Sequence, residues 1–285
     1  MTHPRADGAT ADGDRTWDAL LSAPELAAVT SAGFDPLGSV WGVTVNSIGN
    51  SGLWGCPGAW PGPSAAGYPK TSSWTPSYAR LMQELYAARK QALRRAVEQC
   101  RALGGDGIVG VSLEVGEPPP GGVSYTVRGT AVRARSRIRP HQPFTSHLGG
   151  QDFARLIHSG WVPTGLAFGI AVHGRHDDWR TTRRTRWTAP NGEVEGYTLL
   201  VSRARQEART RLARDAAASG GEGVVVDRID LTVDEGECVG LFGNGYAHDF
   251  SVEAAFVGTA VARFGRSVRP AGSAPLTFMR LDREH

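Results

Sequence analysis

Residues Glu25–Val45 read ELAAVTSAGFDPLGSVWGVTV, and residues Asp152–Val172 read DFARLIHSGWVPTGLAFGIAV. Gly33, Pro36, Gly38, Gly42 and Val45 of the first stretch return as Gly160, Pro163, Gly165, Gly169 and Val172. The order continues downstream, with GGDGIVGV at Gly104–Val111 against GGEGVVVD at Gly220–Asp227, then GTAV at Gly129–Val132 against GTAV at Gly258–Val261. Solenoid units run to about 20–50 residues, so a repeat this long implies two tandem copies of one domain. A chain of 285 residues accommodates two domains, each able to bury its own core. The division expected is a disordered tail at 1–19, a first domain at 20–136, a linker at 137–146, a second domain at 147–266 and a tail at 267–285.

Within each copy the elements are legible in turn. A short amphipathic segment (Pro24–Ala32; Gln151–Ser159) ends at a glycine suited to a helix C-cap. A strand rich in small residues follows (Gly38–Val45; Gly165–Val172), and Gly42 and Gly169 inside it imply a bulge or a close backbone neighbour. The long helix is expected at 76–103, with Thr75 as N-cap and Pro76 in the first turn, and at 197–218 in the second copy. Its stripe runs through Leu81, Leu85, Ala88, Ala92, Ala96, Cys100 and Leu103, matched by Tyr197, Val201, Ala204, Ala208, Leu212, Ala216 and Ser219. Two strands joined by a hairpin complete each copy (Ile108–Val115 and Ser124–Arg135; Val224–Val233 and Ser251–Phe264). Each copy is therefore α+β, a small antiparallel sheet packed against one long helix.

Composition excludes several classes. No apolar run approaches the roughly 20 residues of a membrane span, the N-terminus lacks an apolar secretion core, and the three cysteines form no disulfide framework, so a cytoplasmic location is expected. A net charge of +3 argues against nucleic acid as the main partner. GxSxG, GxxxxGK[ST] and HExxH are all absent, which points away from an enzyme.

The ordered set GFDPLGSVWGVTV, an Ala-rich helix ending in ALGGDGIVGV, and a closing GTAV strand resembles the YbjQ-like (UPF0145, DUF74) domain, a family described as heavy-metal-binding. The resemblance covers roughly 20–136 and again 147–266, departing where the usual GADA after the helix reads GGDG and GGEG. It implies a dodecin-like α+β subunit, assembly into ring-like homo-oligomers, a divalent metal ion as cofactor and no established reaction. Five-fold rings of single domains would require a chain with two copies to assemble either as five chains in two tiers or as a ring with an even number of domains.

The residues themselves offer candidate ligands apart from the resemblance. His173, His176, Asp177 and Asp178 place imidazoles and carboxylates just past a strand end, a donor set for a divalent ion. Asp234, Glu235, Glu237 and Cys238, with His248 beyond, offer the oxygen ligands a hard cation prefers. Cys100 lies on the helix stripe opposite Ala216 of the second copy and reads as core. Asp227 takes the phase of apolar Val111, so it would be a buried acid unless the strand bulges there. Two loops suit contacts with another protein: an aromatic one at 49–74 carrying Trp54, Trp60 and Trp74, and an Arg-rich one at 175–187 carrying Arg183 and Arg184. The expectation is a non-enzymatic, self-assembling protein that binds a heavy metal or small ligand. An interaction scaffold using the two loops is the alternative, and an enzyme with an unrecognised site the second.

Overall fold

A computed structural model describes residues 18–47, 78–116, 122–137, 139–176, 179–185, 189–238 and 247–264. The first half contains α1 (Ala23–Ser31), β1 (Phe34–Ser47), α2 (Ala79–Ala102), β2 (Gly107–Gly116) and β3 (Gly122–Ala134). The second contains β4 (Phe144–Thr145), α3 (Gly150–His158), β5 (Trp161–His176), α4 (Trp179–Arg184), α5 (Glu195–Ala218), β6 (Gly223–Cys238) and β7 (Ala247–Arg263). The sheets run in the orders β1-β3-β2-β4 and β5-β7-β6, so the fold is α+β and one strand order serves both halves. Even the irregularities repeat, at Pro36/Gly38 and Pro163/Gly165, and again at Val109/Ser112 and Val226/Arg228.

The elements follow from local chemistry. Glu25 reaches back to accept the Ser22 N–H at 2.9 Å and the Ser22 hydroxyl at 2.7 Å, which fixes the start of α1 and holds the carboxyl below its usual range. Gly33, Gly104, Gly160 and Gly220 end the four main helices with φ between 74° and 87°, a conformation that side-chain-bearing residues resist. α2 begins at Ala79, and the Thr75–Pro76 start expected from sequence lies outside the described residues. Strands β1 and β5 both extend further than their apolar alternation suggested, because antiparallel pairing continues through polar residues as far as Ser47 and His176.

Two elements were not anticipated. Part of the expected linker is β4, which pairs in parallel with β2 through Phe144 and Thr145. The expected Arg-rich loop is instead the end of β5 followed by the short helix α4.

Each long helix lies directly on its sheet at a glycine. A Cβ on Gly42 would overlap the Ala92 carbonyl oxygen and stand 2.7 Å from the Ala96 nitrogen; on Gly169 it would overlap the Ala208 carbonyl and stand 2.8 Å from the Leu212 nitrogen. Ala88, Ala92 and Ala96 in α2, and Ala204 and Ala208 in α5, are fully or almost fully buried, and their small size allows this approach. The first core spreads beyond its own half: Leu166, Phe168, Ile170 and Val172 of β5 pack with α2 and with Leu113, Tyr125 and Val127 of the first sheet. A further cluster joins the halves through Val29, Leu148, Phe153, Leu156, Val225 and Val261.

Because helix backbone cannot yield as a side chain can, Gly42→Ala should destabilise the protein by about 3 kcal/mol. Gly33→Ala, where φ is +87° and nothing lies within 4 Å, should cost only about 1 kcal/mol. Urea denaturation of the two variants checks the order; equal midpoints would show that α2 does not rest on Gly42.

Candidate functional site

The densest polar chemistry lies along the seam where α2 meets β5. β5 is an edge strand, and α2 satisfies its outer backbone with side chains. The Tyr86 hydroxyl donates to the Phe168 carbonyl at 2.8 Å and accepts the Ile170 N–H at 3.1 Å, doing the work of a neighbouring strand. On the amide just before them, Asp215 of α5 accepts the Phe168 N–H at 2.8 Å and pairs with Lys90 of α2 at 2.7 Å. Burial pushes the Tyr86 phenol above its ordinary value, so it remains a neutral donor.

Arg89 is buried beside them. Its guanidinium stands 4.5 Å over the Tyr125 ring and 3.5 Å from the Glu253 carboxylate of the other half. Burial raises the Glu253 carboxyl and Arg89 partly restores it. Arg228 of the second half donates to the Leu113 carbonyl of the first at 3.2 Å. Every one of these groups has a partner across the seam, and together they fix one half against the other.

A second cluster sits where the chain passes between halves. The Thr259 hydroxyl lies 2.7 Å from Nδ1 of His147, accepts the His147 backbone N–H at 3.0 Å and stands 3.4 Å from the Ser146 hydroxyl. A hydroxyl beside an imidazole is the beginning of a nucleophile and base pair. Here Ser146 and Thr259 are wholly buried, and Thr259 is engaged by backbone, so a substrate cannot reach either hydroxyl. The group is a structural clasp.

The third cluster contains a residue singled out from sequence. His173 Nε2 lies 2.6 Å from Glu207 of α5, and Arg211 donates to the other oxygen of Glu207 at 3.0 and 2.6 Å. Burial pushes the Glu207 carboxyl up, but the hydrogen bonds from Arg211 and His173 bring it net below its ordinary value. Glu207 was overlooked; its spacing of four residues from Arg211 on one helix face was the available signal.

The other expected sites divide as follows. The His176 side chain, Asp177 and Asp178 lie outside the described residues, as do Trp54, Trp60 and Trp74. Asp234 is half-buried and Glu235 exposed on β6; Glu237 and Cys238 continue that strand with His248 across from Glu237, their side chains outside the described residues. Arg183 and Arg184 are exposed on α4. Asp227 needs correction, because it is exposed rather than buried: its counterpart Val111, beside the same irregularity, is buried where residues preceding α3 run along β2, and none of the described residues runs along β6 in that way. Cys100 is fully buried, gives its thiol to the Gly107 carbonyl at 3.3 Å, and is pushed up to about 11 by burial and then by Asp106.

The described donors alone do not make up a heavy-metal site. Among the described residues no three His, Cys, Asp or Glu side chains converge. His173 already spends Nε2 on a carboxylate that Arg211 also holds.

Two measurements test these assignments. Burial lowers the His147 imidazole below its ordinary value, opposed by the negative charges of Asp227 and Asp152. The unfolded chain titrates near 6.5. Its contribution is therefore complete above about pH 6.5 and is lost as pH falls, because the unfolded state then binds the proton more readily. His147→Leu, which installs the residue type of Leu20 in the first half, should lose less stability between pH 8 and pH 5 than the wild type; equal losses by urea denaturation would rule out this role. Cys100 should resist a thiol reagent at pH 8 until the protein is unfolded by denaturant, and rapid labelling of the native chain at that residue would contradict its burial.

Comparison with known proteins supplies a context. The YbjQ_1 family model, described as "Putative heavy-metal-binding", matches residues 75–135. Encapsulin nanocompartment protein Rv1762c of Mycobacterium tuberculosis (strain ATCC 25618 / H37Rv) is 31% identical over 243 residues, covering 78% of this chain and 80% of that protein. A UPF0145 protein of Limosilactobacillus fermentum (strain NBRC 3956 / LMG 18251) is 49% identical over 39 residues, which are 14% of this chain and 35% of that protein.

Proposed function

The chain belongs to the YbjQ-like (UPF0145) family, and from that premise we propose that it is a tandem of two YbjQ-like domains, 20–136 and 147–266, acting by assembly and not by catalysis. The working form is a closed homo-oligomer associated with an encapsulin nanocompartment, as the name of the mycobacterial relative suggests for that protein. One observation carries the reading: the halves meet through unlike surfaces, a β5 face from one and an α2-lined groove from the other. Contacts between unlike surfaces can repeat from chain to chain, and they close into a ring when the rotation per copy divides a full turn.

The chemistry supports the same view. Tyr86, Arg89, Lys90, Asp215 and Glu253 spend their polar groups on one another and on backbone. No helix of the described residues is long and apolar enough to cross a membrane. The family description favours a bound metal, whereas among the described residues no donors converge on one, and assembly through the seam surfaces needs none.

Native mass spectrometry of protein purified without a chelating tag tests the proposal. The expected result is a multiple of the chain mass without stoichiometric metal, together with co-purification of an encapsulin shell from the native host. A single chain at micromolar concentration would overturn the assembly reading, and one metal per chain would overturn the metal-free one.

A further inference from the structure

The seam inside the chain has an unfilled duplicate on its outside. β5 presents Leu166, Phe168, Ile170 and Val172 to the first half, where Phe168 and Ile170 are each 1% exposed. Of their counterparts on β1, Ser39, Trp41, Val43 and Val45, the last three are exposed: Trp41 is 42%, Val43 43% and Val45 67% exposed. The receiving groove is duplicated in the same way. Leu113 on its floor is 6% exposed, whereas its counterpart Ile229 is 51% exposed; beyond it Leu231 is exposed as its own counterpart Val115 is in the filled seam, so the contrast rests on Ile229. Register confirms the correspondence, since Leu113 pairs with Val127 on β3 and Ile229 with Phe256 on β7, each facing its own long helix.

We infer that a second copy of this chain docks head to tail, its β1 ridge of Trp41, Val43 and Val45 entering the groove between α5 and the Ile229–Leu231–Val233 face of β6. The inference rests on the self-assembly reading above and names its surfaces. It reuses a contact the chain already makes with itself.

Two independent details point the same way. In the internal seam, residues preceding α3 run along the edge of β2: the Ser146 carbonyl accepts the Val111 N–H at 2.8 Å and the Leu148 carbonyl the Gly110 N–H at 2.9 Å. The counterpart of β2 is β6, an edge strand among the described residues, and the counterparts of Ser146 and Leu148 are Ala19 and Leu21 just ahead of α1. In the docked pair those two carbonyls meet the N–H groups of Asp227 and Val226 of the second chain, so the sheet continues across the contact.

The other detail is a matched exchange of residue types. Lys90 of α2 pairs internally with Asp215, which also holds the Phe168 N–H. The counterpart of Asp215 is Gln99, which holds the Trp41 N–H at 2.8 Å in the same manner, and the counterpart of Lys90 is Gln206. An ion pair at the internal seam is thus replaced by two amides at the outer one. The free N–H groups of the Gln99 amide can donate to the Gln206 oxygen, whereas a lysine opposite an amide, or an aspartate opposite one, would lose its counter-charge. Both positions are exposed, and their change is concerted.

Two substitutions at exposed positions test the contact without disturbing either core. Val43→Asp places a charge on the ridge and Ile229→Asp on the groove floor. Each variant should keep the wild-type circular dichroism spectrum and urea midpoint while its native mass falls to one chain at micromolar concentration. Mixed in equal amounts, they retain one intact groove and one intact ridge between them, and should form a species of two chains. Assembly of both variants at the wild-type mass would overturn the proposed surfaces but leave self-assembly standing. A wild type that is itself a single chain would remove both. Variants that remain single chains after mixing would show that ridge and groove do not meet each other, and would overturn the proposal.

Discussion

Everything in this molecule depends on a strand having two apolar faces. β5 turns Ala167, Gly169 and Ala171 towards α5, and Leu166, Phe168, Ile170 and Val172 away from it. A strand with only its helix-facing side buried would leave four large side chains in water. Each is worth about 1.5–3 kcal/mol on burial, so the outer face is a force for association comparable with the net stability of a domain. The first half supplies the cover, and neither half can be understood without the other.

Apolar force alone does not fix a register, because a ridge can slide along a groove. The polar residues of the seam remove that freedom. Tyr86 bridges Phe168 and Ile170 on one edge, Asp215 takes the Phe168 amide, and Lys90 closes on Asp215. A shift of one residue would turn the apolar set of β5 away from its groove and strand these groups without partners. Arg89 adds a stricter condition, since a guanidinium that is 5% exposed needs both the Tyr125 ring and the Glu253 carboxylate in place.

Much of this was legible in the chain. The repeated GTAV and double-glycine signatures placed the strands and helix ends, and Gly42 and Gly169 announced a close backbone neighbour, which proved to be the long helix. What sequence could not reveal was which face of each strand is covered from outside its own half: Trp41 and Phe168 occupy matched positions and read alike, yet one is exposed and the other buried. Asp227 was misread for a related reason. Its counterpart Val111 is buried because residues preceding α3 run along that part of β2, a cover that β6 lacks among the described residues and that no local pattern announces. β4 escaped notice because two residues carry no periodicity, and its existence depends on the edge of β2.

The two halves differ where a permanent contact and an encounter between chains should differ. On α2, Met82, Arg89 and Leu93 are buried under β5; their counterparts on α5 are Thr198, Arg205 and Arg209, all exposed. Tethering places the internal surfaces at high effective concentration at all times, so a large apolar interface there carries no risk of mispairing. A surface that must stay soluble before it finds its partner cannot be equally apolar, and polar residues at its rim keep the exposed patch small while Ile229, Leu231 and Val233 keep its centre dry. On the proposed docking, such divergence would give one contact two strengths: a permanent one within the chain, and a weaker one between chains whose occupancy depends on concentration.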